Sequence, residues 1–377
     1  IMGTKQYDSA TDLITFSRAS SATFLGSNGL LQTAANNIPR IEYDTTGAVK
    51  GLLIEEARTN LVTYSSDFTN PAWSKTNMTP TANQATGPDG TVSATEIAIL
   101  SIPSNSYAIH PSTISSGTLS YFAKQNTEQF FIIVRGTFAS GDWAIFDLSN
   151  GTVSKSPTYS GSSAHMVPMN NGWYRCVLQS AQATPTNAFT ISGSGTNHTT
   201  PASGTVYLYG AQFEQGAFPT SYIPTTGAAA TRARDIAEIP TSAFGYNNDA
   251  GTVVCEFDSA ALYGSTIFTL DGAGSSNGIT AIVYPANRVS YQVVTGGVTQ
   301  VNSNFDAYAT ASQVSKVATV YAKDDFAAVL NGGAVATDTA ASLPTVGLLR
   351  LGVYLGGASF IMSGHIKSIQ YYPRRLT

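Results

Sequence analysis

Residues 205–211, Thr-Val-Tyr-Leu-Tyr-Gly-Ala, alternate between two kinds of side chain: Val, Leu and Gly stand at the even positions, and Tyr stands at 207 and 209. Successive side chains of a β-strand point to opposite faces, so this period of two predicts a strand. Both faces carry large or apolar residues and should therefore be at least partly covered by other parts of the protein. A strand covered on both faces is typical of a sandwich of two sheets.

The composition of the whole chain also favours an all-β fold. Of its 377 residues only 11% are charged, whereas about 25% is usual for soluble domains. Lys and Glu, which favour helix surfaces, are scarce, while the abundant Thr, Tyr, Phe and Val fit a pleated surface. The length predicts two or three domains, each large enough to bury a core.

Charge and hydropathy exclude several functional classes. The net charge is −4 with a pI near 5.5, and the basic residues form no Lys/Arg run, so nucleic acid is not an expected partner. No segment approaches 18 consecutive apolar residues, so no membrane span is predicted. The two cysteines, Cys176 and Cys255, lie in strand-like runs without an adjacent His. They are predicted to be buried free thiols.

Clusters of turn-forming residues divide the chain into four parts. Residues 1–60 hold few large apolar residues and predict an extended N-terminal arm that lies along another domain or another subunit. Residues 61–224 contain short strand candidates between turns and predict a first antiparallel sandwich. Residues 225–235 are small and polar and predict a linker. Residues 236–377 predict a second sandwich of jelly-roll kind, with Asp-Gly at 271–272 and Asn-Gly at 331–332 as hairpin turns.

Several strings are more specific than these patterns. Three runs resemble the opening of a family of tailed-bacteriophage virion proteins: Phe-Ser-Arg-Ala-Ser-Ser-Ala-Thr at 16–23, Pro-Arg-Ile-Glu-Tyr-Asp at 39–44, and Gly-Leu-Leu-Ile-Glu-Glu-Ala-Arg-Thr-Asn-Leu at 51–61. Residues 61–224 resemble jelly-roll carbohydrate-binding modules, in the runs 171–176, 210–216 and 219–225. Residues 236–377 are similar to a concanavalin/laminin-G-like sandwich.

The resemblance implies a structural protein on the external surface of a virion head or tail, such as a fibre or spike. It implies a homotrimer, an arm that docks on other virion proteins or intertwines, and adhesion to bacterial surface polysaccharide through the β-sandwiches. A ligand-free capsid decoration or head-fibre component is the alternative. A polysaccharide-depolymerising spike is less favoured, because such spikes usually carry a long β-helix and this chain has no repeats for one.

Glycan binding requires flat aromatic faces for sugar C–H groups, with amides or carboxylates for the hydroxyls. In the first sandwich the candidates are Trp73, Tyr107 and Trp143. Trp73 follows a Pro-containing loop and fits either an exposed platform or a clasp onto the first sheet. In the second sandwich the candidates lie around one hairpin and are Tyr284, Asn287 and Tyr291.

Catalytic and metal signals are weak, so we expect no enzyme, no catalytic residue and no cofactor. Glu55 and Glu56 are adjacent and would point to opposite faces of a strand. The four His are scattered and no nucleophile motif accompanies them. Asp271 with Asn277 could supply oxygen ligands for a structural Ca²⁺, but an ordinary turn is the preferred interpretation of this loop.

Overall fold

A computed structural model describes residues 13–99, 106–111, 116–182, 186–200, 202–260, 264–272, 274, 276–284, 288–304, 313–357 and 359–377. Its regular structure is almost entirely β-strand, which confirms the predicted all-β class. Single 3₁₀ turns occur at Asn170–Gly172, Thr241–Ala243 and Leu355–Gly357.

In chain order the strands are β1 Thr15–Ser17, β2 Ala22–Leu25, β3 Leu31–Ala34, β4 Ile41–Tyr43, β5 Val49–Ile54, β6 Arg58–Asn60, β7 Ser74–Thr76, β8 Met78–Thr86, β9 Val92–Ile99, β10 Tyr107–Pro111, β11 Gly117–Gln125, β12 Phe130–Arg135, β13 Asp142–Asp147, β14 Thr152–Lys155, β15 Ser163–Pro168, β16 Trp173–Ser180, β17 Thr186–Ser192, β18 Thr205–Glu214, β19 Ala230–Arg232, β20 Ile236–Pro240, β21 Ala250–Ser259, β22 Ser265–Asp271, β23 Gly278–Tyr284, β24 Arg288–Thr295, β25 Val298–Asn304, β26 Ser315–Ala322, β27 Phe326–Leu330, β28 Ala336–Asp338, β29 Leu348–Leu351 and β30 Gly364–Tyr372.

The first sandwich is built from the middle of the chain. One sheet has the order β14-β13-β12-β17-β10-β7, and the sheet that faces it has the order β15-β16-β11-β18-β9-β8. The alternation within β18 places Val206 and Leu208 in the core between them. Tyr207 and Tyr209 lie on the other face, where they pack with the buried Trp173. Both faces of this strand are therefore covered, as its sequence predicts.

The second sandwich combines the C-terminal part of the chain with strands from its beginning. One sheet has the order β1-β20-β29-β22-β23-β24-β25 and the other has the order β28-β27-β26-β21-β30-β5-β4. Phe16 of β1 pairs with Ala237 of β20, and Leu53 of β5 pairs with His365 of β30. The side chain of Ile54 is completely buried in the core of this sandwich.

The predicted arm is therefore corrected: described residues 13–60 include strands of the second sandwich within the same chain. This segment holds few large apolar residues. These suffice because its strands extend sheets of the second sandwich and need no core of their own. β6 pairs with β19, with Asn60 opposite Ala230, so the chain leaves the second sandwich and returns to it at neighbouring strands. The first sandwich is inserted between them. An arm buried on its own chain no longer requires another subunit to cover it.

The predicted linker is packed as well, since residues 225–235 contain β19 and the buried side chains of Arg232 and Asp235. The hairpin prediction at 331–332 agrees with the backbone, where Asn331 has φ 51° and Gly332 has φ 70°. The prediction of a hairpin turn at 271–272 is wrong, because Asp271 still belongs to β22. The loop that follows is closed by a hydrogen bond from the Gly272 N–H to the Asn277 carbonyl at 3.0 Å.

Cys176 and Cys255 are buried and unbridged, which confirms the free thiols, and burial raises the pKa of both. Within the described part of the chain, no helix is long and apolar enough to cross a bilayer.

Candidate functional site

The sheet β14-β13-β12-β17-β10-β7 has a second apolar side, directed away from the core of the first sandwich. Phe131 and Ile133 of β12 point into the core, so Ile132 and Val134 point outward. We call this side the outer face. Its central residues are almost fully buried, with 0–6% exposure: Ile132, Val134, Ile145 and Ala188.

An aromatic group with one lysine lies at the β13–β14 edge of the outer face. The rings of Phe138 and His198 are stacked with centroids 4.1 Å apart and planes 4° apart. Trp143 meets both rings edge-on, at 5.8 Å from Phe138 and 5.0 Å from His198. Lys155 Nζ lies 4.1 Å from the centroid of the Trp143 ring. All four side chains are half-buried, so each presents some surface to solvent. We call this group the edge cluster.

Strand register and two loops bring the edge cluster together. Trp143 pairs with Val134 on the outer face, and Lys155 pairs with Ile145, which follows Trp143 on the same side of β13. Phe138 lies in the loop between β12 and β13. His198 follows Asn197, whose Oδ1 accepts hydrogen bonds from the backbone N–H groups of residues 199 and 200 at 3.0 and 2.9 Å. This Asx turn fixes the loop that places His198.

The cluster carries one lysine side chain and no carboxylate. Lys155 has no ion-pair partner among the residues that the structure describes. Burial lowers the pKa of His198, and the charge of Lys155 lowers it further. His198 is therefore neutral at pH 7, and the net charge of the cluster is that of Lys155.

Two residues predicted to bind glycan share the outer face. Trp143 belongs to the edge cluster. Ala108 of β10 packs in the core, so the neighbouring Tyr107 points outward and is half-buried. Three strand spacings separate β10 from β13, which corresponds to about 14 Å. Tyr107 and Trp143 thus flank one face without touching.

Trp73 and Tyr291 are corrected as surface candidates, because each is only 1% exposed. Trp73 is a clasp: its ring packs 5.1 Å from that of Phe68, and its Nε1 donates to the Tyr64 carbonyl at 3.0 Å. Tyr291 lies in the second core, where its hydroxyl donates to the Val320 carbonyl at 3.0 Å. Neither ring is accessible to a ligand.

For the remaining candidates in the second sandwich, the described residues show the following. Tyr284 is described only as the end of β23, and Asn287 lies outside the described residues. Asp271, considered for Ca²⁺, pairs with Arg350 Nε at 2.8 Å. Asn277 Oδ1 accepts from the Gly296 N–H at 3.0 Å. No group of three or more His, Cys, Asp or Glu suited to a metal is found in the described part of the chain.

A buried ionic cluster joins the beginning of the chain to the segment between the sandwiches. Asp235 accepts from Arg18 at 3.0 Å and from Arg40 at 2.5 Å, and Arg40 also pairs with Glu55 at 2.8 Å. Arg232 lies 3.5 Å from Glu55. Burial alone would raise the pKa of Glu55, but the charges of Arg232 and Arg40 outweigh it and lower this pKa. We call these five residues the ionic cluster.

The ionic cluster explains the strings at 16–23, 39–44 and 51–61 structurally, because each supplies one of its charged residues. Glu55 also accepts from the Ser221 hydroxyl at 2.6 Å and from its N–H at 2.7 Å, at the end of the first sandwich. These charges are enclosed within the protein. Their arrangement connects the two sandwiches and offers no surface to a ligand.

Comparison with known proteins adds little. No family model matches the sequence, and no curated protein matches it. Among solved structures, the LG4-5 domains of mouse laminin alpha1 have 9% identity and a TM-score of 0.28, over 86% of this chain and 92% of theirs. A SAP-like pentraxin from Limulus polyphemus has 15% identity and a TM-score of 0.27, over 35% of this chain and 69% of its own. A tail fibre protein of an E. coli phage has 9% identity and a TM-score of 0.23, over 85% of this chain and 40% of its own. Similarity this low assigns no function.

Phe138, Lys155 and His198 are not predicted from the sequence. Their positions in the chain are far apart, and no spacing rule connects them. A usable signal was present in the Asn-His-Thr-Thr run at 197–200, which is typical of an Asx turn that holds a loop in one conformation.

Proposed function

We propose that this chain is a structural protein on the outer surface of a bacteriophage head or tail, and that it adheres to bacterial surface glycans. The edge cluster is the observation that carries the glycan-binding part. It presents half-buried rings beside a cation at the rim of a β-sandwich. The C–H faces of sugars pack on such rings, while polar groups at the rim form hydrogen bonds with the sugar hydroxyls. The strings at 16–23 and 51–61 support the virion part.

A single site of this kind should bind a glycan weakly, and adhesion should depend on several copies acting together. We therefore propose a homotrimer whose copies present their edge clusters to one cell surface, with further contacts to other virion proteins. Light scattering of the purified protein tests this assembly. A mass that corresponds to a single 39.5 kDa chain at micromolar concentration would refute it.

The alternative is a ligand-free decoration or head-fibre component, and one observation favours it. The stacking of Phe138 on His198 joins two loops above the outer face, and this contact stabilises the sandwich whether or not a ligand binds. Under this alternative the edge cluster would be purely structural.

Retention on a panel of immobilised bacterial polysaccharides separates these functions. The wild-type protein should be retained, and Trp143→Ala should not. Tyr372→Ala changes a half-buried tyrosine on the other sandwich and serves as the matched control. Absence of retention on every glycan would refute adhesion, and new reducing ends in the same samples would indicate a depolymerising spike instead.

Tryptophan fluorescence supplies a second readout. Of the three tryptophans, Trp73 and Trp173 are 1% and 0% exposed, whereas Trp143 is half-buried in the edge cluster. A glycan that binds there should change the emission of Trp143, and the change should be absent in Trp143→Phe. A change that persists in this variant would place the ligand elsewhere.

A further inference from the structure

We infer that the edge cluster selects glycans that carry a carboxylate, with Lys155 as the residue that receives the acidic group. This inference rests on the proposed glycan binding and adds a substrate class to it. Three features of the described residues carry it: the unpaired charge of Lys155, the direction of the neighbouring carboxylates, and the aromatic surface beside the ammonium group.

Lys155 is one of several described lysines without an ion pair, and what distinguishes it is its position over the ring of Trp143. Lys50 pairs with Glu42 at 3.0 Å, and Lys316 and Lys367 each approach Glu256 at 3.6 and 3.2 Å. Lys155 has no such partner in the described ranges and lies against the Trp143 ring instead. The ring compensates part of the desolvation of the ammonium group. Its remaining hydrogen-bonding capacity is directed to solvent or to a ligand.

The acidic residues of β13 leave this charge uncompensated. Asp142 precedes Trp143 in the strand, so it points to the opposite face, and it is 0% exposed. Asp147 lies four residues beyond Trp143, about 13 Å along the strand. Its carboxylate already accepts from Gln129 at 2.8 Å and from Ser149 at 2.7 Å. The edge of the outer face is therefore locally positive.

A locally positive edge next to half-buried rings matches a sugar with a carboxylate on its ring. The ring would pack against the aromatic surface, while the carboxylate receives a charge-assisted hydrogen bond from Lys155 Nζ. A neutral sugar of the same shape would keep the packing and lose this bond. Loss of a hydrogen bond to a charged group corresponds to about a ten-fold or greater loss of affinity.

The test compares acidic oligosaccharides with their own carboxyl-reduced products, which keep the rings and linkages. The probes are oligogalacturonate, oligoglucuronate and oligosialate, each titrated into the full chain by calorimetry and by Trp143 fluorescence. At least one acidic probe should bind about ten-fold or more tightly than its reduced form. Lys155→Met should abolish this preference, and Lys155→Arg should restore it. Lys323→Met, an exposed lysine of the second sandwich, should behave as wild type.

Equal binding of an acidic probe and its reduced form would overturn the inference, and so would undiminished preference in Lys155→Met. Binding of neutral polysaccharides alone would overturn the inference and leave the proposed adhesion intact. Absence of binding to all acidic and neutral glycans would overturn both.

Discussion

Replacing Asp235 by alanine should reduce the stability of the second sandwich more than any exposed charge deletion. Asp235 accepts three hydrogen bonds: from Arg18 at 3.0 Å, from Arg40 at 2.5 Å and from the backbone N–H of Glu55 at 2.9 Å. Its side chain and those of both arginines are 0% exposed. The substitution leaves two buried guanidinium groups short of an acceptor. Breaking a buried pair in this way costs about 3–5 kcal/mol of unfolding free energy.

The matched control is Asp325→Ala. Asp325 pairs with Arg375 at 2.7 Å, but its side chain is 49% exposed and that of the arginine is 31% exposed. Water compensates both groups after the substitution, so we expect a loss of about 1 kcal/mol or less. Asp235→Asn keeps one acceptor oxygen and should fall between the two alanine variants.

Urea unfolding followed by two probes measures the effect. All three tryptophans lie in the first sandwich, so their fluorescence follows that part, while far-UV circular dichroism follows both. The transition seen by dichroism should shift to lower urea in Asp235→Ala. If Asp235→Ala and Asp325→Ala agree within about 1 kcal/mol by both probes, the ionic cluster does not contribute the expected stability to the fold.

Three further predictions concern other parts of the molecule. His365 donates to Asp258 and to Glu42, each at 2.8 Å. Burial alone would lower its pKa, but these bonds raise it above the ordinary value. The bonds therefore contribute stability that is complete below about pH 6.5 and is lost as the pH rises through the folded-state pKa of His365. The thermal unfolding temperature measured from pH 6 to pH 9 should show this decline. In His365→Gln this pH-dependent decline should be absent. Trp73→Ala should cost about 3–5 kcal/mol in urea unfolding because its ring is buried, and a loss no larger than that of the half-buried Trp143→Ala would contradict this. Replacing residues 62–228 by a short Gly-Ser linker should leave a second sandwich that unfolds cooperatively in calorimetry, because β6 and β19 are paired neighbours; absence of a transition would show that the sandwich requires the insertion.

Part of the edge cluster was accessible from sequence and part was not. Trp143 follows Ser-Gly-Asp at a strand start, where the sequence fits a core residue and a ligand-binding aromatic about equally. Lys155 joins it only because a register shift between Ile145 and Phe146 sets which face of β14 carries the lysine. Trp73 and Tyr291 show the converse: an aromatic residue in a loop or hairpin has the same local sequence whether it is buried or exposed. Whether such a ring is buried depends on which other parts of the folded chain pack against it.

The sequence by itself determined the all-β class, the alternation of β18 and the turn at 331–332, because each depends on backbone geometry within a few residues. Only the tertiary structure decided that β1, β4 and β5 belong to the second sandwich. Strand pairing joins segments that are more than 200 residues apart, and composition does not specify the partner of an edge strand. The same holds for the ionic cluster. Its charges, Arg18, Arg40, Glu55, Arg232 and Asp235, are stable in the interior only because folding brings opposite signs together where water is absent.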